Sequence, residues 1–112
     1  MTYQSKLQAL ADPTRRAVFE SLRHGPLPVG KLAAGLPVTR PAVSQHLKVL
    51  RDAGLVRERK AGTRRIYSVE PDGIAELRRY LESFWKDVLT SFRERADAQQ
   101  ANLKRRSNDA KN

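Results

Sequence analysis

The sequence of 112 residues contains no cysteine, only two histidines and no apolar run longer than three residues. The absence of cysteine excludes disulfide bonds, a thiolate nucleophile and any cysteine-ligated metal. The short apolar runs are too short for a membrane-spanning helix, and the polar start from Met1 to Ser5 offers no apolar region for a signal peptide. We therefore expect a cytoplasmic protein that contacts no membrane and holds neither a metal nor a cofactor.

The sequence also has few groups of residues that could act together in catalysis. His24 and His46 differ in character, since one precedes a turn and the other interrupts an apolar helix face, and no set of carboxylates converges. Gly25–Lys31 has the spacing of a phosphate-binding loop, but Leu32 stands where a Ser or Thr would hold magnesium and two prolines remove amide donors. The sequence therefore predicts no enzymatic activity.

Charge of one sign dominates, because the net charge is +10 at pH 7. Between Thr39 and Tyr67 there are eight Lys or Arg and two acids, so these 29 residues carry +6 of that total. A small domain this basic is expected to have a partner rich in phosphate or carboxylate. A charge run alone is better explained by a solvated surface, so the local structure decides what the clustering means.

Apolar spacing predicts short helices in the first half of the chain. Residues 4–11 form one, and Asp12–Pro13 supplies the cap and first position of the next. Apolar residues within 29–36 recur at i, i+3, i+4 and i+7, and the pattern repeats within 43–50 with His46 at i+3. Thr39 can cap the last of these helices and Gly54 can end it. Two short helices in succession, the second basic on its outer face, describe a helix-turn-helix.

After Gly54 the apolar period changes from that of a helix to that of strands. Residues 55–60 and 65–69 are short β-rich segments on either side of a glycine-containing turn at 61–64. They predict a hairpin with a basic tip and sides, which is the wing of a winged helix. Pro71 ends it. The predicted fold class is therefore mainly α with a small β-hairpin, a winged helix-turn-helix.

A long helix is predicted from Asp72, with an apolar stripe too wide to leave in water. We expect it to form a homodimer interface with a second copy, joined by the first helix; the alternative is that it folds back on its own domain. Residues 1–96 would then form the DNA-binding and dimerisation domain, and 97–112 a fraying helix end and a polar, disordered tail. The predicted interface residues are Leu7, Leu10, Leu77, Leu81, Phe84, Trp85, Val88 and Phe92.

Residues Thr39–Val56 strongly resemble the recognition helix and first wing strand of ArsR-type regulators, a family of bacterial winged-helix repressors. Leu10–Arg16 and Gly62–Tyr67 extend the resemblance. It implies a dimer that sits on an operator and represses transcription until a signal releases it. Metal-sensing members carry cysteine, histidine or carboxylate ligands; this chain has Val29–Ala34 at the cysteine position and no histidine after His46. It therefore resembles the branch that does not sense metals.

The helix-turn-helix predicts which side chains touch double-stranded DNA. Gln45 can pair with adenine, Arg40 with guanine or a phosphate, Ser44 with either, and Lys48 with a phosphate. The wing tip can enter the minor groove or hold phosphates, whereas Ile66 and Tyr67 are expected to pack on the core. The predicted DNA-binding set is Thr39, Arg40, Pro41, Ser44, Gln45, Lys48, Arg59, Lys60, Thr63 and Arg64.

Three functions remain open at this point. The favoured one is a sequence-specific dimeric repressor on an inverted-repeat operator. The second is an architectural nucleic-acid binder driven by charge, which would be sensitive to salt but indifferent to sequence. The third is a protein-interaction module that uses the long helix.

Overall fold

Five helices and one small sheet make up the chain in a computed structural model that describes residues 2–110. The chain divides into two compact units between Arg78 and Arg79. The elements in order are α1 (Tyr3–Ala11), α2 (Pro13–Glu20), β1 (Leu27–Pro28), α3 (Val29–Ala34), α4 (Arg40–Asp52), β2 (Val56–Ala61), β3 (Arg64–Val69) and α5 (Pro71–Ala110).

Side-chain caps fix where α2 and α4 begin, as the sequence predicts. The Arg15 amide donates to Asp12 Oδ1 over 2.9 Å at the start of α2, and the Ala42 amide donates to Thr39 Oγ1 over 3.3 Å at the start of α4. The far end of α4 stops at Gly54, whose φ of 81° only glycine adopts freely. There the Leu55 amide donates back to the Leu50 carbonyl, which closes the helix.

The sheet is antiparallel with strand order β1-β3-β2, so β3 lies in the middle. β2 and β3 form the predicted wing, with Glu58 opposite Tyr67 and Lys60 opposite Arg65. Gly62, with a φ of 65°, occupies the first position of the two-residue turn, where a tight hairpin requires positive φ. The third strand, β1, pairs Leu27 with Tyr67 and extends the predicted hairpin to three strands.

A single apolar cluster lies beneath the helix-turn-helix and the wing. The four helices before the wing each contribute to it, and the sheet closes it through Val56 and Tyr67. Burying each large aliphatic side chain contributes about 1.5–3 kcal/mol to folding. The core residues are Ala9, Val18, Leu22, Leu32, Val43, Leu47, Leu50, Ala53, Leu55, Val56 and Tyr67.

The last helix is longer than the sequence predicts. α5 runs through Ala110, so residues 97–110, where a fraying helix end and a polar tail are expected, are helical, while Lys111 and Asn112 lie outside the described residues. Alanine, glutamine, lysine and arginine dominate this stretch and are strong helix formers. The predicted domain boundary at residue 96 stays a prediction. Across the described residues, none of the helices is long and apolar enough to cross a bilayer.

Candidate nucleic-acid interface

A groove of about 720 Å³ lies between α3, α4 and the wing. Six of the ten predicted DNA-binding residues line it: Arg40, Ser44, Gln45, Lys48, Thr63 and Arg64. The structure thus brings the outer face of α4 together with the tip of the hairpin, although the two segments are separated in sequence by the turn at Gly54. This concave surface is the candidate interface.

The core packing of α4 determines which of its side chains reach the groove. Val43, Leu47 and Leu50 are completely buried and hold one face of the helix against the core. Ser44 and Gln45 lie on the opposite, exposed face because side chains repeat every 3.6 residues. The Gln45 amide presents both a donor and an acceptor there, which is the pattern required to read a base edge.

The charge of the groove is positive, since its lining includes six Lys or Arg side chains and no acid. Two of the arginines are held by a carboxylate: Glu58 accepts a hydrogen bond from Arg51 over 2.7 Å and contacts Arg65 at 3.0 Å. The other four, within the part of the chain that is described, make no ion pair: Lys31, Arg40, Lys48 and Arg64. These four remain able to bind phosphate.

Four predicted residues lie outside the groove lining, although each is exposed: Thr39, Pro41, Arg59 and Lys60. The Thr39 hydroxyl oxygen already accepts a hydrogen bond from the Ala42 amide, which leaves its hydrogen and one lone pair for a ligand. Arg59 pairs with Ile66, which places both on the sheet face opposite Glu58 and Tyr67. Whether these four contact DNA stays a prediction.

Three basic groove residues were not in the predicted set: Lys31, Arg51 and Arg65. Lys31 belongs to α3, and its signal was its place as the basic residue on the polar side of the first helix of the pair. Arg51 and Arg65 are close together only because the wing folds back beside α4. Sequence spacing carries no such information across the turn.

Tyr67 closes the floor of the groove and is buried, as predicted. Burial raises the pKa of its hydroxyl above the ordinary value, and the nearby negative charge of Glu58 adds to the effect. The hydroxyl is therefore neutral at physiological pH. Tyr67 contributes packing and a polar edge to the groove but no charge.

Arg15 and Arg16, on α2, are used locally. Arg15 Nε donates to the Ala9 carbonyl over 2.6 Å and Arg16 Nη1 to the Leu10 carbonyl over 3.0 Å, which satisfies carbonyls at the end of α1. Among the described residues, no three His, Cys, Asp or Glu side chains come together as a metal site.

The predicted dimer residues fall into two groups. In the first unit, Leu10 and Leu77 are half-buried against their own core, and Leu7 is exposed. In the second unit the apolar side chains are exposed, with fractions of 58% for Leu81, 61% for Phe84 and 70% for Phe92. Trp85 and Val88 are exposed as well. The second unit therefore carries an apolar face that its own residues do not cover.

Comparison with known proteins gives consistent matches along most of the chain. A family model described as a helix-turn-helix domain matches residues 10–59. The HTH-type transcriptional regulator Rv2034 of Mycobacterium tuberculosis is 59% identical over 92 residues, which cover 82% of this chain and 86% of that protein.

Solved structures agree with the sequence match. A crystal structure of a possible transcriptional regulator for arsenical resistance is 47% identical, has a TM-score of 0.66, and covers 72% of this chain and 84% of that one. The solution structure of a homodimeric winged helix-turn-helix DNA-binding domain from Mycobacterium bovis, a possible ArsR-family regulator, is 25% identical. Its TM-score is 0.62, with 78% of this chain and 81% of that chain covered. This chain is therefore similar to these proteins in sequence and in fold.

Proposed function

Because the chain belongs to the ArsR-type family of winged helix-turn-helix transcriptional regulators, we propose that it acts as a homodimeric repressor that binds an inverted-repeat operator through the groove between α3, α4 and the wing. The observation that carries this proposal is the groove itself, where the exposed amide of Gln45 lies among cations without ion-pair partners in the described chain. Such a surface combines phosphate attraction with base-reading chemistry.

The recognition helix is α4. Its 13 residues give a length of about 20 Å, and an α-helix of about 10–12 Å diameter fits the major groove of about 12 Å. Gln45 pairs with adenine in this docking, and Arg40, near the helix start, takes guanine or a phosphate. Ser44 and Lys48 hold the backbone, and Thr39 and Pro41 lie at the helix start beside it.

The wing supplies the second set of contacts. Thr63 and Arg64 at the hairpin tip reach the minor groove or the flanking phosphates, with Arg59 and Lys60 along the hairpin. Lys31 adds a phosphate contact from α3, which the sequence pattern did not single out. Contacts from three elements at once fix the register of α4 on the duplex.

A second copy of the chain covers the apolar stripe of α5. Leu81, Phe84, Trp85 and Phe92 are each more than half exposed, and a symmetric partner helix removes them from water. Leu7, Leu10, Leu77 and Val88 complete the proposed interface, within a domain of residues 1–96. Two-fold symmetry places the recognition helices about 34–36 Å apart, so the operator is an inverted repeat.

We assign no catalytic role and no metal to the protein, and we place it in the cytoplasm, where it reaches the chromosome. Its family role as a transcriptional regulator supports the first and last of these assignments. The assignment of no metal is supported by the sequence, which has Val29–Ala34 where metal-sensing relatives carry cysteines and no histidine after His46. Repression follows when the dimer occupies an operator that overlaps a promoter.

Selection of bound duplexes from a random DNA library at physiological salt tests the proposal. We expect enrichment of an inverted repeat whose half-sites are centred one helical turn apart. Binding without enrichment, with a steep loss of affinity as salt rises, would instead identify a charge-driven architectural protein. A matched selection in which Gln45→Ala replaces the wild-type protein shows whether α4 is the reader.

A further inference from the structure

Glu58 joins the recognition helix to both strands of the wing. One carboxylate oxygen, Oε2, accepts from Nη1 of Arg51 in the last turn of α4, over 2.7 Å. The other oxygen, Oε1, lies 3.0 Å from Nη1 of Arg65 in β3, while Glu58 itself belongs to β2. Each oxygen thus serves a different element, and the carboxylate bridges α4, β2 and β3.

The sheet register explains why the bridge forms. Glu58 lies opposite Tyr67, and Arg65 is two residues along the partner strand on the same face, within reach of a long side chain. Arg65 lies directly opposite Lys60, and two like charges in that position destabilise a hairpin. Glu58 supplies the opposite charge between them. Its side chain is only 14% exposed, whereas those of Arg51 and Arg65 are 41% and 57% exposed.

The electrostatics of DNA binding argue against a carboxylate at this position. Arg51 and Arg65 line the groove, so the negative charge beside them weakens the attraction of the groove for phosphate. Loss of the Glu58 carboxylate would therefore raise the affinity of the groove for DNA. The geometry indicates a different contribution, because this carboxylate links the end of α4 to both wing strands.

We propose that Glu58 is a positioning residue for sequence recognition. By holding Arg51 and Arg65, it fixes the wing relative to α4, so that Gln45 and Arg64 meet their targets on one duplex together. It therefore increases discrimination between sequences while lowering the affinity for DNA of any sequence. This inference rests on the proposed function, because it assumes that the groove binds DNA.

Asp52→Asn is the matched control for Glu58→Gln. Asp52 Oδ1 lies 3.9 Å from Arg51 Nε and its side chain is 65% exposed, so its loss removes the same charge near the same arginine without breaking the bridge. Glu58→Asp gives a third variant, which keeps the charge but is one carbon too short to span both arginines.

The dissociation constants are measured for the duplex selected by the wild-type protein and for a random duplex. Asp52→Asn is expected to tighten both about twofold and to leave their ratio unchanged. Glu58→Gln is expected to tighten random-duplex binding to a similar extent while the ratio falls about tenfold, the loss of about one base contact. Glu58→Asp is expected to lower the ratio without tightening random-duplex binding. A ratio unchanged in both Glu58 variants overturns the proposal.

Hydrogen exchange of the DNA-free protein separates this inference from the proposed function. Faster exchange of the β2–β3 amides in Glu58→Gln and Glu58→Asp, but not in Asp52→Asn, shows that the bridge holds the wing. Equal exchange in all three variants overturns the proposal that the Glu58 bridge holds the wing, even if the protein binds its operator. A wild-type protein that does not distinguish the two duplexes contradicts the proposed function, and with it the role of Glu58 in recognition, whatever the exchange result.

Discussion

Opposite faces of α4 carry the core and the site. Val43, Leu47 and Leu50 are fully buried, and their neighbours Ser44 and Gln45 project into the groove. The rigid apolar side therefore orients the polar side. Among the polar residues, the Gln45 amide can distinguish base edges, whereas an ammonium group such as that of Lys48 acts mainly as a point charge.

Gln45→Ala is predicted to relax the base preference of the protein. Loss of a bidentate base contact costs about 1–3 kcal/mol at the operator and far less on random DNA. Affinities for a set of operators substituted at single positions measure the effect. Lys48→Ala is the control: it is expected to weaken binding to all sequences alike and to reduce the salt slope by about one unit. An unchanged ranking of operators in Gln45→Ala would contradict the role of this residue.

Asp12 is predicted to make folding stability depend on pH. The Arg15 amide that donates to its carboxylate holds the Asp12 pKa below its ordinary value of 3.8, and the positive charge of Arg15 acts in the same direction. Because the folded pKa is the lower one, this stabilisation is present above the unfolded pKa and is lost as pH falls through the folded pKa.

Denaturant unfolding of the wild-type protein and of Asp12→Asn at several pH values measures this contribution. Asparagine keeps a cap acceptor and removes the charge. We expect the wild type to be the more stable of the two at neutral pH, and the difference to vanish in acid. A difference that stays constant with pH would show that the Asp12 charge is not involved.

At the scale of elements, local chemistry predicts most of the first 96 residues. Asp12 and Thr39 cap helices through side chains only three residues from the amides they accept, and Gly54 and Gly62 serve backbone conformations that their own φ angles require. Each of these caps and turns depends only on residues a few positions apart in the sequence. The four short helices and the hairpin were therefore predictable.

Features that depend on distant partners were not predictable in the same way. β1 has two residues and exists only because it pairs with β3. Lys31, Arg51 and Arg65 join the groove because α3 and the wing pack beside α4. Residues 97–110, predicted as a fraying helix end and a polar tail, continue α5. The polarity of this segment indicates that it does not pack into a core, and an exposed helix does not need to.

The ion pair between Lys6 and Glu76 ties α1 to the first turns of α5. Lys6 Nζ lies 2.8 Å from Glu76 Oε2, and the lysine side chain is only 2% exposed. Glu76→Gln is predicted to destabilise the fold by about 1–3 kcal/mol, because it leaves a buried ammonium group with a weaker partner. Thermal or urea unfolding measures the loss.

The double variant Lys6→Met with Glu76→Gln is the informative control for this pair. Methionine fills a similar space without a charge to desolvate, so the double variant should be more stable than Glu76→Gln alone. If the two substitutions instead destabilise additively, the cost does not come from a stranded charge.

At the scale of the whole molecule, two surfaces of different chemistry serve the two proposed functions, DNA binding and dimerisation. The groove in the first unit is basic and polar, and the exposed face of the second unit is apolar. A net charge of +10 keeps copies apart unless an apolar contact outweighs the repulsion. The wide stripe on α5 is suited to that contact.

Phe84→Glu is predicted to dissociate the dimer. A carboxylate in the apolar interface remains desolvated without a partner, and the operator affinity should fall by about a hundredfold when two half-sites are no longer bound together. Ser83→Glu is the matched control, since it introduces the same charge at a neighbouring exposed position on the other side of the helix. Sedimentation that finds both variants dimeric would contradict the proposed interface.

The central claim is that the groove between α3, α4 and the wing is the surface that meets DNA. Comparison of backbone amide NMR shifts with and without the selected operator tests it most directly. We predict the largest changes at Lys31, Gln45, Thr63 and Arg64, with small changes at the exposed end of α5. Changes concentrated on α5, with the groove residues unaffected, would contradict the claim.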